Sequence, residues 1–418
     1  MNEATALPLI DVARLRRRLE TLNRFGTTPD RPGVSRESFS PADMAARQEL
    51  LAIFRARGLQ AWMDPVGNVF GRWEVGDGPA VLLGSHLDSV PQGGALDGVL
   101  GVVAALECVE SLQEAGREPP APVEIVATSE EEGRFGGMLG AQAIAGLVDR
   151  DWFTTAVDNS GLSLSRALRG AGLDPDALPE AARDPGDVKA FLELHIEQGP
   201  VLDRSGRSVG IVDGISGVFN WSVVLQGEAN HAGTTPMHLR RDSFRGLVAF
   251  AAELPAIIEA FGSDLCRLTI GKVELHPNFP HTVPGRTEFS LIGRDIDLAA
   301  MSAVATECRR RLEAMAREQD LDLDLHQASW LPPVPCDPSI VAAFQRQARQ
   351  MGVQAPLMPS GAGHDTQVLA GFTRAGMIFV PSTGGVSHAP EEHTDWAHVE
   401  TGCNLLLRTL WDVAGGCA

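Results

Sequence analysis

The fold is decided by Ala80-Val81-Leu82-Leu83-Gly84-Ser85, which runs into His86-Leu87-Asp88, then Gly93-Gly94-Ala95-Leu96-Asp97, then an apolar run from Gly98 to Leu112. A short, continuous apolar run bounded by polar residues reads as a buried strand, and the longer one as a helix crossing to the next strand. Working outward, 123–129 (VEIVATS) and 191–197 (FLELHIE) are further strands, and 60–63 and 68–73 are shorter ones. Two helices come first. Leu15, Leu19 and Leu22 share one face of an Arg-rich amphipathic segment, and 41–58 ends on Gly58 as a capped helix would. The character changes near Asp213, where strand, helix, two strands, helix and strand follow at 216–226, 241–261, 267–275, 287–295, 298–319 and 321–329. This β-α-β-β-α-β order is the split βαβ arrangement. After the proline-rich LPPVPCDP (331–338), alternation resumes with a helix at 339–351, a strand at 377–381 and a helix at 396–413. The expectation is an α/β protein with an interrupted first domain, 1–213 with 331–418, and an inserted α+β domain, 214–330.

Composition narrows the function. The chain has 418 residues, 44% hydrophobic and 21% charged, and a formal net charge of −19, a field that repels phosphate backbones and argues against nucleic acid. No apolar stretch approaches the ~20 residues that span a bilayer, so no membrane partner is expected. Tyr is absent, which excludes a phenol from the chemistry. Cys108, Cys266, Cys308, Cys336, Cys403 and Cys417 form no C-x-x-C pair and are read as core thiols in a reducing, cytoplasmic setting.

Polar residues gather where strands should end, the place open α/β sheets put their ligands. His86 and Asp88 follow the 80–85 strand, two residues apart and so on one face, as a carboxylate orienting an imidazole would be. Asp97 follows in a glycine-rich turn. Glu130-Glu131-Glu132 ends the 123–129 strand, either as a solvated loop or as a cation site. His195 ends the next strand, whose alternation of Leu192, Leu194 and Ile196 with Glu193, His195 and Glu197 equally suits one buried and one wet face. His388 lies in a polar loop after the 377–381 strand. Together His86, Asp97, Glu132, His195 and His388 are the imidazole and carboxylate set that zinc-like divalent ions prefer. If Asp97 bridges, each of two ions receives three ligands, and Glu131 is the carboxylate left to act as general base. No phosphate-binding loop and no G-x-S-x-G is present.

In order along the chain, GNVFGRWEVGDGPAVLLGSHLDSVPQGGALDGVLGVVAALE, SEEEGRFGGMLGA, LELHIEQGPVLD, GEANHAGTTPM, PSGAGHDTQ and SHAPEEHT resemble motifs of the dinuclear-zinc amidohydrolases related to the M20 metallopeptidases. This is the subgroup of N-carbamoyl-L-amino-acid hydrolases, β-ureidopropionases and allantoate amidohydrolases. The resemblance runs from Gly67 to Thr394. It implies a mixed-sheet, di-zinc aminopeptidase-like catalytic domain and a ferredoxin-like lid that also dimerises. It implies His86, Asp97 and His195 on one ion and Asp97, Glu132 and His388 on the other, with zinc favoured over manganese, cobalt or nickel. Glu131 matches the base. His231, in GEANHAGTTPM, matches a lid histidine that reaches the partner subunit's active site and stabilises an oxyanion, which calls for a homodimer. Gln198, Arg294, Gly363 and His364 match substrate contacts, Arg294 as the clamp for a substrate carboxylate, while Asp365 reads as structural.

The peptidase branch usually has an acidic residue at the position of His195, which favours ureido substrates. Two features depart from the pattern. His281, in HTVPG, stands where the family's NVIPG supplies an asparagine to the substrate, and the shortened EEG motif leaves Glu130 as a rival to Glu131. The activity implied is metal-dependent hydrolysis of an N-carbamoyl-L-amino acid or related ureido acid to amino acid, carbon dioxide and ammonia. The alternatives are an allantoate amidohydrolase, an M20-type aminoacylase or dipeptidase, and a non-catalytic binding protein.

Overall fold

The computed structural model describes residues 7–416. The first unit ends at Asp213 and resumes at Pro335, and the second runs Gly214–Val334.

In the first unit, strands β1 (Gln60–Met63), β2 (Val69–Trp73), β3 (Ala80–His86), β4 (Val123–Thr128), β5 (Val188–Ile196) and β6 (Gly210–Ile215) precede the insertion. In the second unit come β7 (Gly217–Gln226), β8 (Asn230–His231), β9 (Arg267–Thr269), β10 (Val273–His276), β11 (Thr282–Val283), β12 (Arg286–Asp295) and β13 (Asp322–Leu331). Then β14 (Val334–Pro335), β15 (Leu357–Ser360) and β16 (Ala375–Val380) close the chain's strand list. The large sheet is mixed, in the order β1-β2-β4-β3-β5-β16-β6-β14, with β15 beside β6. Its centre is parallel: β3 pairs with β4 and β5, and β5 with β16, all in the same direction. The carboxyl ends of β3, β4, β5 and β16 therefore open on one edge, and that shared polarity builds the site.

Both faces of the central strands are covered, as parallel strands require. Every residue of β3, β4 and β16 is buried, and β5 is buried from Ala190 to Ile196, so the alternative reading of β5 with one wet face does not hold. The helix Val99–Glu114 packs Leu100, Val103, Leu106 and Val109 into the same core as Leu405, Leu406 and Leu410 of the helix Trp396–Ala414. Cys108, Cys266, Cys308, Cys336 and Cys403 are buried free thiols, while Cys417 lies outside the described residues. None of the described helices is long and apolar enough to cross a membrane.

The second unit folds β7, the helix Ser243–Phe261, β9, β10, β12, the helix Leu298–Glu318 and β13 in that order. Its antiparallel sheet runs β10-β12-β7-β13, with β9 also on β12, and buries Phe219, Trp221, Leu225, Phe250, Met301, Cys308 and Leu312 together. The single strand expected at 267–275 is instead broken into β9 and β10. Thr269 faces Ile292 and Val273 faces Phe289, so three residues of one side oppose two of the other. That extra residue is a bulge, with Lys272 and Ser290 bonded across it. Sequence reading also missed β6 and the short helices Leu139–Ile144, Arg150–Thr155 and Leu164–Gly170.

One buried cation holds the site's foundation. Arg47 is fully buried on the helix Pro41–Ala56 and donates to the carbonyls of Gly67 at 2.9 Å, Ala127 at 3.3 Å and Thr128 at 3.1 Å, at the end of β4. It pairs with buried Asp43 at 2.9 Å and stands 3.9 Å from Asp88. Removing one partner of a buried pair leaves an uncompensated charge, so Arg47→Met is expected to cost about 3–5 kcal/mol in chemical unfolding. Adding Asp43→Asn should recover part of that loss. Equal stability of wild type and Arg47→Met would contradict this role.

Candidate metal centre and active site

His86 is the last residue of β3 and His195 the penultimate residue of β5. Each ring is oriented by a backbone carbonyl on Nδ1, that of Asp88 for His86 and that of Ile196 for His195, both at 2.9 Å. With Nδ1 donating, Nε2 presents its lone pair, and the two Nε2 atoms face each other at 3.4 Å. Asp97 Oδ1 lies 3.2 Å from His195 Nε2 and 3.7 Å from His86 Nε2, while its Oδ2 lies 3.1 Å from His388 Nε2. His388 is also 3.4 Å from Glu132 Oε2. One carboxylate thus stands between two three-residue clusters, His86-Asp97-His195 and Asp97-Glu132-His388. Glycine is required where the chain passes beneath: Gly98 has φ +65°, and a Cβ there would lie 2.4 Å from the His86 ring.

The backbone is strained at this edge. Glu130, Gln198 and His388 all adopt left-handed conformations, with φ of 56°, 57° and 55°. Such residues persist where surrounding structure holds them, and they gather at functional sites.

Asp88 works differently from the sequence expectation. Its backbone carbonyl, not its carboxylate, orients His86, because β3 ends at His86 and the chain turns before Asp88. The carboxylate instead accepts the backbone amides of Glu131 at 3.4 Å and Glu132 at 3.2 Å and the Ser38 hydroxyl at 2.9 Å. It aims the glutamate turn. Within that turn Glu130 is turned away, accepting the amides of Phe135 and Gly137, whereas Glu131 Oε2 sits 3.7 Å from His86 Nε2. Gln198 donates to Asp97 Oδ2 at 3.1 Å and stands 3.3 Å from His388 Nε2.

His364 lies beside the same centre. Its ring is 1% exposed, packs edge-on against His195 and meets Ser360 Oγ at 2.9 Å. It packs beside His195, and Gly363 before it is half-buried. Asp365 accepts the Thr128 hydroxyl at 2.6 Å. Glu193 lies between Ser85 and Thr366, beneath the centre, and forms a third acid and imidazole cluster with His195 and His364.

The donors fit divalent cations. Asp97 Oδ1 and Glu132 Oε1 are buried with no hydrogen-bond partner, three imidazole nitrogens converge on Asp97, and that of His388 also faces Glu132. Burial alone would raise the Asp97 carboxyl, but the imidazoles of His195, His388 and His86 standing beside it hold it well below the usual range. Burial, and then the neighbouring Asp97 charge, push Glu132 up to about 7. Glu131 is raised well above the usual carboxylate range by burial, with Glu132, Asp365 and Asp88 adding to it and His86 opposing. The Asp97 hydrogen bond lifts His388 to about 9.

These shifts carry a pH dependence. A carboxyl raised in the folded state holds more protons folded than unfolded, so stability falls as pH rises between its two pKa values. Burial raises Glu130, Glu132 and Asp365 to about 7, and the raised His388 adds stability at low pH that is lost as pH climbs through 9. His364, lowered by burial, acts the other way, in mildly acid solution. The metal-stripped protein should therefore show a falling Tm between roughly pH 5.5 and pH 8, with the stabilisation by added divalent ion growing over the same range, because ligands must lose protons to bind. A Tm that rises through this window would refute the assignment.

The second unit carries the remaining candidates. His231 and His281 are neighbours on the β8-β11 ribbon, where Thr282 faces His231 and the His281 carbonyl accepts the Ala232 amide at 2.9 Å. Arg240 holds the turn after His231 through the carbonyls of Ala232 and Thr235. Arg294 lies on β12, half-buried, its guanidinium lowered by burial.

Residues 82–412 match a family model described as peptidase family M20/M25/M40. The chain is 40% identical over 415 residues, 98% of this chain and 100% of the relative, to an N-carbamoyl-L-amino acid amidohydrolase of Geobacillus stearothermophilus. It is 36% identical over 401 residues, 95% of this chain and 96% of the relative, to the allantoate amidohydrolase of Escherichia coli strain K12. Among solved structures it is similar to an amidase of the hydantoinase/carbamoylase family from Burkholderia multivorans, with a TM-score of 0.90, 31% identity and coverage of 98% and 99% of the two chains.

Proposed function

The chain belongs to peptidase family M20/M25/M40 and is a hydrolase of amide bonds, and from that premise we propose that its substrate is a ureido acid, an N-carbamoyl-L-amino acid before others. The observation that carries this reading is Asp97 standing between the His86-His195 and Glu132-His388 clusters in a chain whose full-length relatives are amidohydrolases. His86, Asp97 and His195 would hold one divalent ion, zinc by the nature of the donors, and Asp97, Glu132 and His388 a second. Ions held there supply Lewis acidity and a water acidic enough to deprotonate.

The chain's own groups do the rest. Glu131, its carboxyl raised well above the usual range by burial, takes the water's proton as the oxygen attacks the carbamoyl carbon, and returns it to the departing amino-acid nitrogen. Carbamate leaves and decomposes to carbon dioxide and ammonia. His231 Nδ1 accepts the Gly233 amide at 3.0 Å, so the neutral ring carries its proton on Nε2, a donor suited to an oxyanion. Arg294 would pair both oxygens of the substrate carboxylate. His231 acting on a partner's site calls for a homodimer, which suits the apolar residues the second unit leaves outside: Phe244 and Val248 on one helix and Val273 on edge strand β10 are all exposed. A cytoplasmic location accords with the buried free thiols.

The test is ammonia release by ion-loaded protein from N-carbamoyl-L-amino acids, N-carbamoyl-β-alanine and allantoate, beside free-amine release from N-acetyl amino acids and dipeptides. Turnover of a ureido acid, lost on chelation, is the expected result. Cleavage of acyl or peptide bonds with no ureido turnover would overturn it. On the preferred substrate, Arg294→Lys should raise KM by about 10–100-fold with kcat little changed, since a clamp on a distant carboxylate binds ground and transition states alike.

A further inference from the structure

Glu392 is 7% exposed, and its two oxygens are divided between two loops. Oε1 accepts the backbone amides of Leu96 at 3.0 Å and Asp97 at 3.1 Å, and Oε2 accepts the Ser387 hydroxyl at 2.9 Å. The first loop carries Asp97, and the second carries His388 directly after Ser387. The approach is close enough that a Cβ on Gly94 would lie 1.9 Å from Oε1, so the glycine before the Asp97 turn makes room for this carboxylate. The Glu392 amide in turn bonds to the Ala389 carbonyl at 3.1 Å, closing the loop around His388, which is itself held at φ +55°.

We propose that Glu392 is a positioning residue that ties the Asp97 turn to the His388 loop and so sets the site formed by Asp97, Glu132 and His388. The inference rests on the two-ion reading above. Without the carboxylate, the Leu96 and Asp97 amides lose a buried acceptor and the 3.1 Å approach of His388 Nε2 to Asp97 Oδ2 is no longer enforced. His86 and His195 are oriented by other carbonyls, so the cluster they form with Asp97 keeps its own support. Loss of a group that orients metal ligands commonly weakens affinity by about 10–100-fold.

The experiment uses the full chain, stripped of metal and titrated with Zn2+, counting ions per chain, with amide exchange at Leu96 and Asp97 read in the stripped protein. Wild type and Glu392→Gln, whose amide oxygen still accepts both backbone amides, should take up two ions and protect both amides. Glu392→Leu should keep the first ion, bind the second about 10–100-fold more weakly, and exchange both amides faster. Ser387→Ala, which cuts only the other half of the tie, should weaken the second ion by less.

Second-ion affinity and amide protection unchanged in Glu392→Leu would overturn the proposal, as would equal loss of both ions in Glu392→Leu and Glu392→Gln. If Glu392→Leu fails to fold, unchanged second-ion uptake by Ser387→Ala overturns it, and weakened uptake supports it. Should wild type bind no ion, the two-ion reading fails separately, and amide exchange decides the tie alone: faster exchange in Glu392→Leu supports it, and unchanged exchange overturns it.

Discussion

Glu131→Gln should lower kcat by about 10²–10⁴-fold while leaving ion content, fold and KM close to wild type. The amide keeps the side chain's size in a site where Glu131 Oε2 lies 3.7 Å from His86 Nε2 and the turn is held from below by Asp88. It cannot accept and return a proton. The neighbouring Glu130→Gln is the control. Its carboxylate accepts the Phe135 and Gly137 amides, so its replacement should alter stability and leave kcat within a few-fold. If Glu130→Gln abolished turnover and Glu131→Gln did not, the base would have been assigned one residue too far along the chain.

Asp97→Ala should remove both ions and reduce activity to the background of the metal-stripped protein. Its Oδ1 faces His195 and His86 and its Oδ2 faces His388, and among the described residues it alone belongs to both clusters. His388→Ala should lose only one ion, since it touches Asp97 and Glu132 but lies outside the His86 cluster. Ion counts on the two variants separate the roles. Retention of one ion by Asp97→Ala would mean that the clusters are independent sites.

Much of this is legible in the amino-acid sequence. The apolar runs at 80–85 and 123–129 announced buried parallel strands because both faces of such strands are covered, and motif residues after them fell at one sheet edge because parallel strands share polarity. What stayed hidden depends on contacts between residues far apart in sequence. Period-two reasoning put the Asp88 carboxylate on His86, but the strand ends at His86, and beyond it alternation has no meaning. Nothing local sets Arg47 apart from the other charges of the 41–58 helix, and only the fold shows it buried under β4. Glu392 stood in plain sight in SHAPEEHT, yet nothing local distinguishes it from exposed Glu391. His364 was read as a substrate contact from its motif, and its burial against His195 follows from the packing of β5 beside β16.

The claim on which the rest depends is that Asp97 is shared by two ions at the carboxyl ends of β3, β4 and β5. Anomalous diffraction from Zn2+-loaded crystals tests it most directly. Two peaks are predicted, one in contact with His86, Asp97 and His195 and the other with Asp97, Glu132 and His388. A single peak held by Glu193, His195 and His364, with none touching Glu132 or His388, would contradict it.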